Sequence, residues 1–177
     1  MTAVQGAGST AIEEAVGGGR PRSLLILRHG QAGSAVRDFD RPLTGRGRRA
    51  AEAVGDWLLE AGLIPERVIA SAARRTTETA RLCCGRIGLP EERITLSRAL
   101  YGADCDDWLA ELAALPEAAR VVLLVGHNPT LSWLAGRLSG EAISLATADL
   151  AWLTTEGGWS APMRLQRLVR SRALTGA

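Results

Sequence analysis

The chain contains 177 residues, of which 46% are hydrophobic and 23% charged, and this composition predicts one globular domain with its own core. The 21 basic residues, all of them arginine, and the 19 acidic residues give a formal net charge of +2. This balance argues against nucleic acid or a membrane surface as a partner.

The first twenty residues differ in composition from the rest of the chain. Residues 1–20 are rich in Gly, Ala, Ser and Thr and contain no long apolar segment. We therefore expect a flexible tail rather than a signal peptide, followed by one domain over residues 21–177. The three cysteines are an odd number without metal-site spacing, which favours reduced thiols and a cytoplasmic location. No apolar run approaches the roughly 20 residues that span a bilayer.

Apolar runs that predict strands alternate with segments of helical periodicity. Strands are predicted at residues 23–28, 67–70, 94–96, 121–125, 149–155 and 163–169. The alternation predicts an α/β fold, a three-layer α/β/α sandwich with a mainly parallel central sheet. No helix of ordinary length separates the last two strands, so we expect them to form an antiparallel edge.

Capping residues and apolar periodicity predict four helices. Thr44 is the expected cap of a helix over residues 45–61, and Ser71 of one that continues to residue 87. Asp106 is the expected cap of a third helix. The fourth opens with Asn128 as cap and Pro129 as the first helical residue. Tryptophans on the inner faces of these helices, which we expect in the core, are Trp57, Trp108 and Trp133.

A cation and an imidazole follow the first predicted strand, at the end of the sheet where α/β folds bind ligands. His29 is compatible with a nucleophile, a metal ligand or a core residue. Arg28 offers a planar fork that matches phosphate oxygens, and Gly30 lets the backbone approach an anion closely. Because an adjacent arginine repels a metal ion, an anionic substrate is the better match.

The second of the two histidines in the chain, His127, follows the fourth predicted strand. It precedes the predicted helix start at Asn128, where free N–H groups favour anions. On its own, His127 could simply brace the strand end. Together with the Arg-His-Gly triplet at 28–30, it is predicted to bind the same anion.

Four motifs in the same order resemble those of the histidine phosphatase superfamily, which has the phosphoglycerate mutase fold. The Arg-His-Gly triplet at 28–30 is similar to its signature, and residues 40–47 to its Pro-Leu-Thr-x-x-Gly segment. Residues 71–79 resemble its Ser-Pro-x-x-Arg-x-x-x-Thr segment, with Ala72 in place of proline. That spacing assigns the second phosphate arginine to Arg75, although Arg74 is its neighbour. Residues 126–128 resemble the second histidine motif.

The short chain, the Arg-Pro-Leu-Thr form and the Leu-Tyr pair at 100–101 most resemble the small bacterial phosphohistidine phosphatases. This resemblance implies that Arg41 also lies beside the phosphate. It further implies a two-step transfer, in which His29 attacks phosphorus and water then hydrolyses the phosphohistidine. The groups implied to hold the phosphate oxygens are Arg28, Arg75, His127 and Arg41, with Gly30 and Asn128 beside them. No metal or other cofactor is implied.

Three functions stay open. The first is removal of phosphate from phosphohistidine in a protein, whose imidazole leaving group is easily protonated. The second is hydrolysis of a small phosphomonoester, whose alkoxide leaving group needs an acid. Asp104 is the candidate for that acid, with Asp106 and Asp107 as weaker ones. The third is a phosphate-binding module without activity. The expected partner is thus a phosphorylated protein or small molecule, and the sequence does not predict the oligomeric state.

Overall fold

Strands and helices alternate along the chain as the sequence predicts. The computed structural model describes residues 20–176, so the predicted flexible tail lies outside the described residues except for Arg20. The strands are β1 (Arg22–Arg28), β2 (Arg67–Ser71), β3 (Ile94–Ser97), β4 (Val121–Gly126), β5 (Leu150–Thr155) and β6 (Arg164–Val169). The helices are α1 (Gly45–Glu60), α2 (Arg74–Arg86), α3 (Cys105–Ala113), α4 (Thr130–Ser139) and α5 (Ser171–Thr175), with 3₁₀ turns at Asp38–Asp40 and Glu91–Arg93.

The six strands form one sheet in the order β3-β2-β4-β1-β5-β6. Strands β3, β2, β4 and β1 are parallel, whereas β5 runs antiparallel to both β1 and β6. The mainly parallel sheet and its antiparallel edge are therefore confirmed. Strands β1 and β4 lie side by side at the centre of the sheet, and both end at the same edge.

Alternate side chains of β1 enter two separate apolar cores, one on each face of the sheet. Leu24 and Ile26 pack with α3 and α4 on one face. Leu25 and Leu27 pack with α1 and α2 on the other face. All four leucine and isoleucine side chains are fully buried. This burial on both faces explains why β1 is a continuous apolar run rather than an alternating one.

Three predicted helix starts are wrong in detail. Ser71 is the last residue of β2, and Ala73 is the N-cap of α2. Asp104, rather than Asp106, caps α3, where it forms a capping box with Asp107. Helix α4 begins at Thr130 after Pro129, instead of having Pro129 as its first residue. Thr44 caps α1 as predicted, because its side chain accepts a hydrogen bond from the amide of Gly47.

The predicted core positions of the tryptophans are only partly right. Trp108 is buried, Trp57 is half-buried, and Trp133 is 64% exposed, so its core assignment is wrong. Trp133 lies outside the buried face of α4, which consists of Leu131, Ser132, Leu134, Ala135 and Leu138. Among residues 20–176, no helix has both the length and the apolar character needed to cross a bilayer.

Candidate active site

Strands β1 and β4 bring the two histidines together. Arg28 pairs with Gly126 in the parallel register, and the amide of His29 donates to the Gly126 carbonyl over 3.1 Å. Each imidazole therefore follows its strand by one residue at the same edge of the sheet. The ring centroids of His29 and His127 lie 5.3 Å apart, with the ring planes inclined by 60°.

The His29 ring is held in one tautomer by its own loop. Its Nδ1 lies 2.7 Å from the carbonyl oxygen of Gly30. A carbonyl can only accept, so Nδ1 carries the proton and Nε2 presents a lone pair. Burial lowers the pKa of His29 to about 4, and the positive charges of Arg75, Arg28 and Arg41 lower it as well, against the effect of the Gly30 hydrogen bond. The ring is thus a neutral base at pH 7.

His127 is neutral for similar reasons. Burial lowers its pKa to about 3, with further contributions from His29 and Arg75. Its Nε2 lies 2.9 Å from the Ser71 hydroxyl. Its Nδ1 is buried and has no hydrogen-bond partner among the described residues. Buried polar atoms usually have a partner, so this nitrogen is a candidate donor to a bound oxyanion.

Arg28 also has a buried nitrogen without a hydrogen-bond partner among the described residues. One of its terminal nitrogens donates to the Leu145 carbonyl over 2.9 Å, whereas its buried Nε has no partner among residues 20–176. Burial lowers the pKa of Arg28, and the nearby charge of Asp149 opposes that shift. The Asn128 amide donates to the same Leu145 carbonyl and accepts from Ser132. Asn128 therefore fixes the loop against which Arg28 is held.

Arg75 is the buried arginine of α2. It is 7% exposed, and it donates to both the carbonyl and the carboxylate of Asp38, over 2.7 and 3.0 Å. Arg74 is exposed instead and forms an ion pair with Glu78 within the same helix. Of the two arginines, Arg75 is the one that acts electrostatically on both imidazoles.

Asp38 links Arg75 and Arg41 through its carboxylate. Its carboxylate accepts from Arg75, from Arg41 over 3.0 Å, and from the Tyr101 hydroxyl over 2.8 Å. The Tyr101 hydrogen bond, followed by those from Arg41 and Arg75, holds the pKa of Asp38 far below its usual range. Tyr101 also stands edge-on to His127, with ring centroids 5.7 Å apart. The site therefore contains a carboxylate that stays ionised.

Sequence comparison agrees with this geometry. A sequence model of the histidine phosphatase superfamily, branch 1, matches residues 24–108, which include Arg28, His29 and Arg75. The phosphohistidine phosphatase SixA of Escherichia coli is 30% identical over 129 residues, covering 71% of this chain and 80% of that protein. The chain belongs to the histidine phosphatase superfamily.

Solved structures of related phosphatases share the fold. The protein histidine phosphatase SixA complexed with tungstate aligns with a TM-score of 0.78 at 27% identity, over 86% of this chain and 99% of that one. A SixA structure from Nakamurella multipartitia, whose phosphohistidine phosphatase assignment is provisional, aligns with a TM-score of 0.73 at 36% identity. That alignment covers 84% of this chain and 95% of the other. The chain is thus a phosphatase of the phosphoglycerate mutase-like fold.

Gly30 of this histidine phosphatase has a packing role that its sequence position did not reveal. Its amide donates to the Thr79 hydroxyl over 3.0 Å, and that hydroxyl donates to the Arg75 carbonyl. A Cβ at residue 30 would lie 2.6 Å from the carbonyl oxygen of Gly47. The glycine therefore lets the His29 loop rest directly on the first turn of α1.

Asp104, the predicted general acid, serves as a cap in this structure. One of its carboxylate oxygens accepts from the amides of Asp106 and Asp107, over 2.8 and 3.1 Å. Among the described hydrogen bonds, none joins Asp104 to either histidine or to Arg28, Arg41 or Arg75. Its catalytic role stays a prediction. No group of three His, Cys, Asp or Glu residues that could hold a metal occurs among residues 20–176.

Proposed function

We propose that this histidine phosphatase removes phosphate from phosphohistidine in a protein, through a covalent phosphohistidine intermediate on His29 and without a metal. The observation that carries the proposal is the pairing of His29 with His127, 5.3 Å apart between ring centroids. Three arginines act on the nucleophile electrostatically, so the site is built for an anion.

The first step is attack on phosphorus by the Nε2 lone pair of His29. The Gly30 carbonyl fixes the tautomer that leaves this nitrogen unprotonated. The lowered pKa, about 4, keeps the nucleophile neutral throughout the physiological range. Water then attacks the phosphorylated imidazole in a second displacement. Two such displacements replace a single harder one, which is the advantage of covalent catalysis.

Side chains around His29 hold the three equatorial phosphoryl oxygens in this proposal. Arg28 Nε and His127 Nδ1 are buried and have no partner among the described residues, so a phosphoryl oxygen would satisfy each. Arg75 and Arg41 add positive charge beside the same position. Charge stabilisation and positioning of this kind account for most of the catalysis in phosphoryl transfer.

The leaving group favours phosphohistidine over an alkyl phosphate. An imidazole leaves without a strong acid, whereas an alkoxide needs a proton donor. Asp104 is engaged as a helix cap, and Asp38 is held ionised by Tyr101 and two arginines. Relatives described as phosphohistidine phosphatases support the same substrate class. A cytoplasmic location belongs to this proposal as well.

The substitution His29→Asn tests the nucleophile. We expect complete loss of turnover of both a phosphohistidine protein and p-nitrophenyl phosphate, while binding of inorganic phosphate, measured by calorimetry, is retained. Retained binding shows that the arginines still form the site. Rapid quenching of the wild type with labelled substrate should trap a phosphoenzyme that is stable to base and labile to acid. Activity should be the same in EDTA.

Three results would contradict the proposal. Turnover that survives in His29→Asn would exclude His29 as the nucleophile. A wild type that binds phosphate but cleaves neither substrate would instead be a phosphate-binding module. Cleavage of alkyl phosphates but not of phosphohistidine would favour the small-molecule phosphomonoesterase.

A further inference from the structure

Asp38 is placed at the outer side of the phosphate arginines. It begins the 3₁₀ turn Asp38–Asp40, which packs over the site through the edge-on contact of Phe39 with Tyr101, 5.0 Å between centroids. The Arg98 guanidinium lies over the Phe39 ring, 4.7 Å from its centroid. The turn is therefore attached to the site at several points, and its carboxylate has a defined position.

This carboxylate cannot supply a proton. Its hydrogen bonds from Tyr101, Arg41 and Arg75 hold the pKa of Asp38 far below its usual range. At neutral pH it is a permanent acceptor. A residue of this kind does not help an alkoxide to leave, because an alkoxide needs a donor.

The carboxylate still has room for one more donor. Oδ2 accepts from both Arg75 and Tyr101, whereas Oδ1 accepts from Arg41 alone. A carboxylate offers about four acceptor positions, so Oδ1 keeps one that is not used by the described residues. The Asp38 side chain is 50% exposed and Tyr101 is 38% exposed, which places this acceptor at the mouth of the site.

We propose that Asp38 determines specificity by accepting a hydrogen bond from the N–H of an imidazole leaving group. This inference rests on the proposed function, since it names the group that recognises phosphohistidine at the same site. In-line attack by His29 directs the leaving group away from the nucleophile, and in this proposal it departs toward solvent past the half-exposed Asp38 carboxylate. A phosphate ester has no N–H to donate there.

The step balances without another reactant. The Nε2 lone pair of His29 forms the new P–N bond, and the P–N bond to the substrate imidazole breaks. Its electron pair stays on the departing nitrogen. The other nitrogen of the substrate ring already carries the proton that Asp38 contacts, so the ring leaves as neutral imidazole. Because the negative charge of Asp38 stabilises the protonated ring, it favours the form of phosphohistidine that reacts.

The substitution Asp38→Asn tests this inference, with Asp40→Asn as a matched control. Asp40 lies in the same turn but pairs with Arg37 over 2.6 Å, away from the phosphate arginines. For each protein, kcat/KM is measured on free phosphohistidine and on p-nitrophenyl phosphate, whose leaving group has no N–H and needs no acid. Both substrates use the same pocket, so partial unfolding lowers both values equally and cancels in their ratio.

In Asp38→Asn, we expect the ratio of phosphohistidine to p-nitrophenyl phosphate turnover to fall by about 10- to 100-fold, the effect of one hydrogen bond to a charged group. Asp40→Asn should leave the ratio unchanged. Tyr101→Phe, which removes one of the bonds that hold the carboxylate, should shift the ratio in the same direction by less.

Equal loss on both substrates in Asp38→Asn would overturn the inference, because Asp38 would then only orient the arginines. An equal gain in kcat/KM on both substrates would overturn it too, since the Asp38 carboxylate would then only compete with the phosphoryl group for the arginines. A wild type without turnover of phosphohistidine would remove both the proposed function and this inference. A wild type that cleaves phosphohistidine, with an unchanged ratio in Asp38→Asn, would remove only the inference.

Discussion

The rings of His29 and His127 lie 5.3 Å apart because the strands that precede them are hydrogen-bonded neighbours. Both imidazoles are mostly buried among positive charges, and neither has a carboxylate bonded to it in the described residues. These surroundings disfavour a second proton, and therefore a positive charge, on either ring. The pair is therefore arranged as two neutral groups that an anion can approach.

The first prediction concerns the protonation of these two rings. Because burial and nearby arginines lower the pKa of His29 to about 4 and that of His127 to about 3, neither should titrate between pH 5.5 and 8. The chain has only two histidines, so the imidazole signals in an NMR titration can be assigned with one substitution, His127→Asn. A midpoint near 6.5 for either ring would contradict the prediction.

The same shifts make stability depend on pH. In the unfolded chain both imidazoles take up protons near pH 6.5, whereas the folded chain binds them only near pH 4 and 3. The unfolded state thus binds more protons across this interval, and the free energy of unfolding should fall as the pH drops from about 6.5 to 4. Urea unfolding at several pH values measures the effect, and His127→Asn should reduce it.

The second prediction separates the two neighbouring arginines of α2. Arg75→Lys should lower kcat/KM by about 100-fold or more, because a lysine cannot reproduce a planar fork at a phosphoryl group. Arg74→Lys is the matched control and should change kcat/KM by less than about threefold, since its ion pair with Glu78 is exposed. A larger effect at Arg74 than at Arg75 would reverse the assignment.

The third prediction uses two glycines with different surroundings. A Cβ at residue 30 would lie 2.6 Å from the Gly47 carbonyl, so Gly30→Ala should destabilise the fold by about 1–3 kcal/mol. Gly85 lies in α2, where such a Cβ would meet no atom within 4 Å apart from its chain neighbours and the backbone of its own helix. Gly85→Ala should therefore stabilise the fold by up to about 1 kcal/mol. Urea unfolding measures both, and equal effects would refute the packing argument.

The fourth prediction addresses Asp104. Asparagine is as good a helix cap as aspartate, so Asp104→Asn should retain stability, whereas Asp104→Ala should lose about 0.5–2 kcal/mol. We expect Asp104→Asn to keep its turnover of phosphohistidine. Turnover of an alkyl phosphate by the wild type that disappears in Asp104→Asn, but not in Asp106→Asn, would restore the general-acid role.

Much of the fold could be predicted because its central strands are buried on both faces. The continuous apolar runs that become β1 and β4 are visible in the sequence, and so are the polar triplets that end them. The spacing of residues 71–79 also separates Arg75, which is buried, from Arg74, which is exposed. Such features depend on residues close together in the chain, which a pattern can report.

Other features depend on contacts that sequence spacing does not show. Asp38 lies in a loop, and only the folded chain brings it to Arg75 and Tyr101. The sequence predicts Ser71 as the cap of α2, but Ser71 is still part of β2, and its hydroxyl forms a hydrogen bond with His127. The cap of α3, in contrast, could have been predicted from the sequence, because Asp104 and Asp107 have the three-residue spacing of a capping box.

The pairing of Arg28 with Gly126 has a consequence for folding. His29 and His127 follow β1 and β4, which are distant in the chain, and the superfamily match ends at residue 108, before β4 begins. A chain truncated after residue 108 would keep Arg28, Arg41 and Arg75 but would lack the imidazole of His127. During refolding, catalytic activity should therefore return only after β1 has paired with β4. The time course of its return would then measure when this part of the sheet forms.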